Sequence, residues 1–371
     1  MTAVRTEYSV EKPLNREPPI KTLISSFLTN EDGAYDRNHG PIPYLNGDEH
    51  KVRVDGAVRK ALDLSVSQLR TNFPQHEVTC VLQCAGNRRN TMRTVTKEVW
   101  GLDWNDGAVM NCCWRGPRVR DILKLAEITL LPSEEGHVAF ASFQTACQDD
   151  TYYGSSIPLE RAMRDDGDVI LALQMNGKTL PVKHGFPVRV IVPGVAGARA
   201  VKWLDRITVQ LDESNNFYQQ RDYKILPPEA TDRKVAQKFW ALTPALQDMP
   251  INSIIAFPLS GEAIKLSPTG TIQVQGYALP QADEGPVVKV EVSIDNGKTW
   301  LKADISVGTH IPSKWCWVLW KAQIPVNKGK IQRIWSKATD KNGNTQPSQP
   351  PWNLRGVAYN GYGESRNVLV V

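Results

Sequence analysis

The sequence predicts an α+β protein in which a mixed α/β domain is followed by an immunoglobulin-like β-sandwich. The chain has 371 residues, more than one hydrophobic core normally organises. Its first part mixes helical and strand-like hydrophobic periods, whereas its last third alternates with the two-residue period of strands. The composition changes near residue 225, and a Pro-rich stretch around 226–229 is the expected linker. We therefore predict an N-terminal extension over residues 1–29, a mixed domain over 30–228 and a sandwich over 229–371.

Two segments of the mixed domain predict helices, and a third predicts a buried strand. Residues 118–126 have helical spacing of their apolar side chains. Ser156 followed by Pro158 is typical of a Ser-capped helix start with proline in the first turn. Residues 188–192 are almost wholly apolar and run into the glycine-containing loop 193–197, which indicates a buried strand.

The sandwich is predicted from alternating strands and tight turns. One strand alternates apolar with polar residues, the apolar ones being Val288, Val290, Val292 and Ile294. Asn296 and Gly297 then predict a hairpin turn, and residues 342–344 predict a second turn. Short strands at regular spacing favour an immunoglobulin-like sandwich. Four tryptophans are expected to pack in its core: Trp300, Trp315, Trp317 and Trp320.

Composition and charge exclude several classes of protein. Hydrophobic residues make up 41% and charged residues 22% of the chain, which is typical of a soluble protein without a membrane span. The formal net charge of +5 lacks dense Lys/Arg runs, so we expect a local anion site and no nucleic-acid partner. Irregular cysteine spacing indicates a reducing, intracellular compartment. No clear targeting signal separates cytoplasm from mitochondrion or peroxisome.

Cys84 is the most informative single residue. It ends the strand-like run 78–83 and opens the polar turn 84–89, where Arg88 and Arg89 follow it. A thiol beside guanidinium groups is expected to be available as thiolate, the form that nucleophiles and soft-metal ligands need. Cys80 precedes it by four residues, but no second pair with zinc-ligand spacing follows. We expect packed thiols at Cys80, Cys112, Cys113, Cys147 and Cys316.

Four motifs, at residues 37–43, 83–89, 184–189 and 192–204, together resemble the sulfite oxidase family of molybdenum enzymes. They occur in the family's order, and the resemblance extends from about residue 30 to residue 371. It implies a mixed molybdopterin-binding catalytic domain followed by a sandwich that forms a homodimer. The implied activity is oxidation of sulfite to sulfate by oxygen-atom transfer at a molybdenum–molybdopterin centre, with one molybdenum per chain.

The resemblance also implies residues that bind the cofactor. Cys84 stands at the position of the molybdenum ligand, and a soft thiolate suits that ligand set. A second group would hold the pterin and its phosphate: His39, His184, Arg189, Lys202 and Trp203. Ala198 and Arg199 lie on the glycine-rich loop and would supply backbone donors. Asp149 and Asp150 are further candidates for a pterin contact.

The implied substrate residues form a third group. Arg37, Arg89 and Arg355 match the family's three arginines, which suit a small oxyanion because guanidinium groups give paired hydrogen bonds and permanent charge. Trp104 would form an apolar wall, although one extra residue separates it from Cys84 relative to the family pattern. Tyr223 matches the active-site tyrosine. The related nitrate reductases are the main alternative, and Tyr223 with Arg355 favours sulfite.

The route of the electrons and two other classes of function stay open. The layout is similar to that of the haem-free plant enzymes, which implies no haem and electron transfer to dioxygen or to an external acceptor such as cytochrome c. A non-catalytic molybdopterin-binding protein would keep the cofactor residues without turnover. A structural interaction protein would explain the sandwich but not the turn at Cys84. Metal analysis combined with a sulfite assay distinguishes these alternatives.

Overall fold

The computed structural model describes residues 4–131, 134–308 and 313–371. Among these residues, no helix is long and apolar enough to cross a lipid bilayer. The helices are α1 (Ile20–Leu23), α2 (Val66–Thr71), α3 (Arg89–Val95), α4 (Val119–Ala126), α5 (Leu159–Met163) and α6 (Arg233–Ala236), with 3₁₀ turns at Val182–His184 and Gly197–Arg199 and a π-helical turn at Tyr218–Asp222.

The strands fall into two groups along the chain. The first group is β1 (Thr6–Glu7), β2 (Asn15–Arg16), β3 (Asp36–Arg37), β4 (Ile42–Pro43), β5 (Lys51–Gly56), β6 (Leu62–Ser65), β7 (Gln75–Gln83), β8 (Val109–Pro117), β9 (His137–Ser142), β10 (Tyr153–Pro158), β11 (Ile170–Ala172), β12 (Gln174–Met175), β13 (Lys178–Thr179), β14 (Arg189–Ile191) and β15 (Arg206–Gln210). The second group is β16 (Asn252–Phe257), β17 (Ala263–Ile264), β18 (Thr271–Leu279), β19 (Val287–Ser293), β20 (Leu301–Lys302), β21 (Asp304–Ser306), β22 (Val318–Pro325), β23 (Gly329–Asp340) and β24 (Gly363–Val370).

The larger sheet of the first domain has the strand order β10-β9-β15-β5-β6, with β15 parallel to β5. Helix α4 packs on it because its apolar side chains recur on one face. Those side chains are all buried in the same core as the sheet: Val119, Ile122, Leu123 and Ala126. The helix predicted over residues 118–126 is therefore confirmed.

The Ser-capped helix start predicted at Ser156 is wrong. Ser156 lies in β10 opposite Ala139, and its hydroxyl accepts a hydrogen bond from the Ser214 N–H at 2.8 Å. Helix α5 begins at Leu159, directly after Pro158. The hydroxyl is thus used in tertiary packing and is not available for the helix end.

A second sheet, β13-β12-β8-β7, leads to Cys84. Alternate side chains of β7 face one core, so Cys80, Leu82 and Cys84 lie on the same side. Strand β14, within the strand predicted at 188–192, contributes Ile191 to this core. Gln83 forms an isolated bridge with Ala196. The turn that contains Cys84 therefore lies against the glycine-rich loop that follows β14.

The second domain is the predicted β-sandwich. Its sheets have the orders β16-β18-β22-β21 and β17-β24-β23-β19-β20, and their facing side chains share one core that includes Val274, Trp320, Val290 and Ile334. Asn296 and Gly297 have left-handed φ angles of 59° and 79°, as the predicted turn requires. Strand β19 departs from the predicted alternation.

Two predictions for sandwich side chains are wrong in part. A register shift between Val287 and Lys289 places Val287 in the core and leaves Val288 half exposed, because a bulge reverses the side-chain direction. Trp317 and Trp320 are buried. Trp315 is buried in the core of the first domain. Trp300 is only partly buried and donates to the Gly297 carbonyl at 3.0 Å.

The two domains are in direct contact. On the outer face of the first sandwich sheet, Tyr277 and Trp317 share a buried cluster with Leu23 of α1 and Val109 of β8. The segment before β16 also joins the domains, because the Ala196 N–H donates to the Gln247 carbonyl at 2.8 Å. The domain limits at residues 29 and 228 stay predictions.

Candidate active site

Cys84 is held in a tight turn at the end of β7. Its N–H donates to the Ala108 carbonyl at 2.9 Å, and its own carbonyl accepts from the Asn87 N–H at 3.0 Å. The side chain is 4% exposed and forms no disulfide. Two cavities meet at this residue, and both are lined by Cys84, Arg37, His39 and Tyr223. The thiol therefore lies in a wall common to both cavities.

The first cavity, of about 80 Å³, contains most of the predicted cofactor residues. It is lined by His39, His184, Arg189, Ala198, Lys202 and Trp203. The Lys202 ammonium contacts the Asn38 side-chain oxygen and donates to the Lys183 carbonyl at 3.1 Å. Burial, together with the nearby Arg189, lowers the pKa of Lys202 to about 7. Burial lowers the pKa of Arg189 to about 10.

This cavity fits an anionic group of the cofactor. The Nε2 atom of His184 and the Nε atom of Arg189 are buried without a hydrogen-bond partner among the described residues. Buried polar atoms are ordinarily hydrogen-bonded, so these two indicate a missing partner. An anion would also counter the burial of Arg189 and Lys202, because a negative charge nearby favours their protonated forms. Phosphate, with several acceptor oxygens, meets both demands.

The structure does not place Arg199 at either cavity. Its buried guanidinium donates to the Gln219 side chain at 2.6 Å and to the Leu246 and Tyr218 carbonyls at 2.8 and 3.1 Å. Its backbone N–H is already donated to Ala196 at 2.9 Å. These Arg199 donors already have acceptors within the protein, so the predicted cofactor contact of Arg199 has no geometric support. Arg199 instead links the π-helical turn Tyr218–Asp222 to Leu246 through these hydrogen bonds.

The second cavity, of about 190 Å³, gathers the predicted substrate residues. Besides the four shared residues it is lined by Arg89, Trp104 and Arg355. Arg355 donates to the Trp100 carbonyl at 2.9 Å and pairs with the Asp222 carboxylate. Burial, with Arg89 and Arg37 nearby, lowers the pKa of Arg355 to about 9. Arg221 is a fourth arginine in this lining, which also contains Asp149 and Asp222. Positive charge therefore predominates around the cavity, which favours a small anion there.

Arg89 lies in a slot formed by three glycines. A Cβ on Gly86 would lie 2.5 Å from an Arg89 terminal nitrogen, and one on Gly101 would lie 2.6 Å from its Cζ. A Cβ on Gly356 of the second domain would lie 2.6 Å from the Arg89 Cγ. The guanidinium donates to the Arg355 and Leu102 carbonyls at 2.9 and 2.7 Å. Both domains therefore fix the position of this side chain.

Of the two arginines that follow Cys84, only Arg89 lines one of the two cavities that meet at Cys84, which corrects the expectation for Arg88. Arg88 has a left-handed φ of 66°, and its guanidinium points into the second domain. There it donates to the Asn252 side chain at 2.7 Å and to the Gly361 carbonyl at 2.6 Å. Arg88 therefore joins the two domains and lines neither cavity at Cys84.

Tyr223, His39 and Arg37 form a connected chain between the cavities. The Tyr223 hydroxyl lies 2.7 Å from His39 Nε2, and a terminal nitrogen of Arg37 lies 3.2 Å from His39 Nδ1. Trp104 is buried, with no partner for its indole nitrogen among the described residues. Asp149 lines the second cavity, whereas the carboxylate of Asp150 accepts from the backbone of Phe217 at 2.9 Å.

Several cavity residues were not identified from the sequence. They are Tyr35, Asn38, Tyr153, Trp100 and Asp222; Tyr218 lies behind them, against the His39 ring. Asn38 stands between two candidates in the motif Arg37-Asn38-His39, and Asp222 directly precedes Tyr223, so adjacency could have suggested both. Tyr218 carried no sequence signal, because its contact with the His39 ring, 3.9 Å between centroids, depends on the fold of a distant turn.

Comparison with known proteins identifies the class to which the chain belongs. The family model for the oxidoreductase molybdopterin binding domain matches residues 39–218, and that for the Mo-co oxidoreductase dimerisation domain matches residues 243–366. Among solved structures, the sulfane dehydrogenase SoxCD from Paracoccus pantotrophus aligns with a TM-score of 0.74 and 22% identity, covering 99% of this chain and 91% of that one. This likeness concerns the fold. The pair of domains defines a molybdopterin-dependent oxidoreductase.

Sequence relatives identify the family within the molybdopterin-dependent oxidoreductases. The chain is 42% identical to the sulfite oxidase of Gallus gallus over 354 residues, covering 94% of this chain and 74% of the relative. It is 37% identical to that of Arabidopsis thaliana, covering 94% and 90%. A nitrate reductase of Volvox carteri is 34% identical, with coverage of 94% and 41%. The chain belongs to the sulfite oxidase family.

Proposed function

We propose that this chain oxidises sulfite to sulfate by oxygen-atom transfer, with Cys84 as the protein ligand of a molybdenum–molybdopterin centre. The observation that carries the proposal is the position of one free thiol in the wall between two cation-lined cavities. A cofactor in the first cavity could present its metal at Cys84 to a substrate in the second. When bound, the molybdenum centre supplies the two-electron oxygen-atom transfer chemistry.

The chain's own residues would bind the cofactor and exclude water from it. Arg189 and Lys202 would provide positive charge for the phosphate, and the Nε of Arg189 and Nε2 of His184 are the nitrogens without a partner among the described residues. Ala198 and Trp203 line the same cavity, and the Trp203 indole N–H donates to the Val182 carbonyl at 2.9 Å, which holds the ring in place. Because the cavity is buried, the electrostatic attraction between these groups and an anion is stronger than it would be in water.

The second cavity would bind the oxyanion. Arg37, Arg89 and Arg355 are fixed by hydrogen bonds to protein carbonyls, so little reorganisation is needed when charge arrives. Sulfite is a compact, strongly charged anion, and three guanidinium groups suit it better than they suit singly charged nitrate. Tyr223 supplies a neutral hydroxyl, because burial raises the pKa of its phenol. Trp104 closes the cavity with an apolar surface.

A matched pair of cysteine variants tests this function. Purified wild-type protein, loaded with cofactor, is expected to contain about one molybdenum per chain and to reduce ferricyanide when sulfite is added, but not to consume nitrate with a reduced dye. Cys84→Ser is expected to abolish sulfite turnover while keeping the fold. Cys113→Ser, at a partly exposed thiol outside both cavities, is the control. Full sulfite turnover by Cys84→Ser would refute the ligand assignment, and nitrate turnover would refute the choice of substrate.

The electron acceptor is also a proposal. We propose that electrons leave to dioxygen, or to an external carrier such as cytochrome c, without a haem in this chain. Oxygen consumption and cytochrome c reduction are measured side by side with sulfite as donor, and a pyridine haemochrome assay tests for haem. A haem that co-purifies stoichiometrically would contradict this proposal.

We propose that the homodimer forms through the outer face of the sheet β17-β24-β23-β19-β20. The outer face of the other sandwich sheet already packs on the first domain, so the free face is the one available to a second copy. It carries partly exposed aromatic rings at Trp300, Trp335 and Tyr362, with Lys337 4.0 Å from the Trp300 centroid. The match to a dimerisation domain over residues 243–366 supports pairing through this domain.

A further inference from the structure

His39 is the only link between Arg37 and Tyr223 among the hydrogen bonds of this part of the described chain. Its Nδ1 atom lies 3.2 Å from an Arg37 terminal nitrogen, and its Nε2 atom lies 2.7 Å from the Tyr223 hydroxyl. Both ring nitrogens are therefore already engaged by protein. The ring has no free donor for a phosphate, although it lines both cavities.

The chemistry of the two partners determines where the imidazole proton lies. A guanidinium group has only N–H donors and cannot accept a hydrogen bond. The Nδ1 atom must therefore accept from Arg37, which leaves the Nε2 atom of a neutral ring as the protonated one. The ring is neutral because burial, and then the charges of Arg37 and Arg355, hold the pKa of His39 well below its usual range. Nε2–H then donates to the Tyr223 oxygen.

We propose that His39 is a positioning residue which, held by Arg37, orients the Tyr223 hydroxyl so that its proton points into the second cavity. This inference rests on the proposed function, because the group that would receive the hydrogen bond is the substrate oxyanion. A hydroxyl oxygen that accepts from His39 is free to donate its single proton elsewhere. Arg37, Cys84 and Tyr223 all line that cavity, so the donated hydrogen bond is available where the substrate would lie.

Contacts on the ring and on the backbone hold His39 in this position. The His39 ring packs on the Tyr218 ring at 3.9 Å between centroids, and its backbone carbonyl accepts from the Gln148 N–H at 2.9 Å. A flipped ring would place the Cδ2–H against the Arg37 nitrogen, and the other tautomer would place an Nδ1–H there, so neither could accept from Arg37. The direction of the hydrogen bonds from Arg37 through His39 to Tyr223 is thus determined by Arg37, because a guanidinium can only donate.

The tautomer is measured without any turnover. The chain has six histidines, so protein labelled with ¹⁵N-histidine gives few signals in a long-range ¹H–¹⁵N correlation spectrum. The signals of His39 are identified by their loss in His39→Gln. We expect the Nε2–H tautomer at pH 7 to 8. The Nδ1–H tautomer, or a doubly protonated ring, would overturn the proposal whether or not the chain oxidises sulfite.

A double-mutant cycle in the loaded enzyme provides the kinetic test. His39→Met removes the donor to Tyr223 and is expected to lower kcat/KM for sulfite roughly 10-fold, about the effect of one hydrogen bond to a charged group. In the Tyr223→Phe background the same change is expected to cost less than about 2-fold, because the hydroxyl it orients is gone. Fully additive losses would contradict an action through Tyr223.

Two further variants separate positioning from a general loss of structure. His39→Gln keeps an amide N–H on a side chain of similar reach, and we expect it to recover part of the loss seen in His39→Met. His50→Gln alters another buried histidine, which hydrogen-bonds the Leu204 carbonyl outside both cavities, and is expected to leave kcat/KM unchanged. Equal losses in His39→Gln and His39→Met at wild-type molybdenum content would show that no donor is needed.

Discussion

At the scale of single residues, the site depends on two features. Some buried nitrogens have no hydrogen-bond partner in the described protein, and one arginine side chain has little conformational freedom. His184 and Arg189 each keep a buried nitrogen unpaired among the described residues, whereas the guanidinium of Arg89 is enclosed by glycines. Unpaired buried donors cost free energy unless a ligand satisfies them. The first cavity is therefore prepared for binding, and the second for precise positioning.

The glycine slot predicts the effect of one methyl group. Gly86→Ala would place a Cβ 2.5 Å from the Arg89 terminal nitrogen, so the guanidinium must leave its present position in the wall of the second cavity. We expect the KM for sulfite to rise about 10-fold, with a smaller change in kcat, because anion binding is weakened. Steady-state kinetics on loaded protein measure both constants.

Gly177→Ala is the control for this change. Gly177 lies in the exposed turn between β12 and β13, and a Cβ there meets nothing within 4 Å. Its left-handed φ of 75° predicts some loss of stability but an unchanged KM. An unchanged KM in Gly86→Ala as well would show that Arg89 does not need the slot.

Lys202 predicts how stability depends on pH. Its pKa is about 7 in the folded protein, because burial and Arg189 outweigh the nearby Asp36, against about 10.4 in an unfolded chain. Between these values the unfolded state binds more protons, so the free energy of unfolding rises as pH increases from about 7 to about 10. Denaturant unfolding of cofactor-free protein measures this rise, which should be smaller in Lys202→Met. An identical pH dependence in the variant would contradict the assignment.

At the scale of secondary-structure elements, the site lies where the ends of strands and loops converge. Strand β7 delivers Cys84, β3 ends at Arg37, and the π-helical turn Tyr218–Asp222 is followed directly by Tyr223. Arg199 connects that turn to residue 246 through its hydrogen bonds. A buried arginine that lines neither cavity therefore helps to hold Tyr223 in position.

Arg199→Lys is predicted to act through this element. A lysine can satisfy only part of the acceptors around the guanidinium, so we expect the free energy of unfolding to fall by roughly 1.5–3 kcal/mol. The loss should be the same in cofactor-free and loaded protein, since the side chain does not line a cavity. Paired thermal melts of the two forms provide the measurement. A loss confined to the loaded form would instead support a cofactor contact of Arg199.

Local patterns in the sequence predicted those parts of the fold that depend on neighbouring residues, such as the face of a helix or a tight turn. The spacing of Val119 and Ile122 was sufficient for α4, and Asn296 with Gly297 was sufficient for the hairpin turn. Ser156 and Val288 were predicted wrongly, because a tertiary hydrogen bond and a bulge override the local pattern. The directions of Arg88 and Arg199 could not be derived either, since both depend on acceptors more than 40 residues away.

At the scale of the whole molecule, the second domain is part of the candidate active site. It contributes Arg355 to the second cavity and Gly356 to the slot around Arg89. Arg88 of the first domain is in turn buried against Asn252 and Gly361 of the second. Displacement of the sandwich would therefore disturb two of the three substrate arginines. Interactions that stabilise the sandwich consequently also preserve the anion site.

This arrangement predicts what happens when the outer face of the sandwich is altered. Trp335 is partly exposed at the centre of that face, where it donates to Glu364 at 3.3 Å and lies beside Tyr362 at 5.6 Å between centroids. Trp335→Glu would bring two carboxylates together and remove an aromatic contact, so we expect the dimer to dissociate at micromolar concentration. Light scattering coupled to size-exclusion chromatography measures the mass.

The control for Trp335→Glu is Gln323→Glu, an equally charged change at an exposed position of the other sheet, which is expected to leave the dimer intact. Because Arg355 follows β23 in the same domain, the monomeric form of Trp335→Glu also reports whether pairing supports the anion site. If dimerisation stiffens the sandwich, the KM for sulfite should rise in the monomer while the Gln323→Glu protein keeps the wild-type value. A Trp335→Glu protein that remains dimeric would place the contact between copies on another surface.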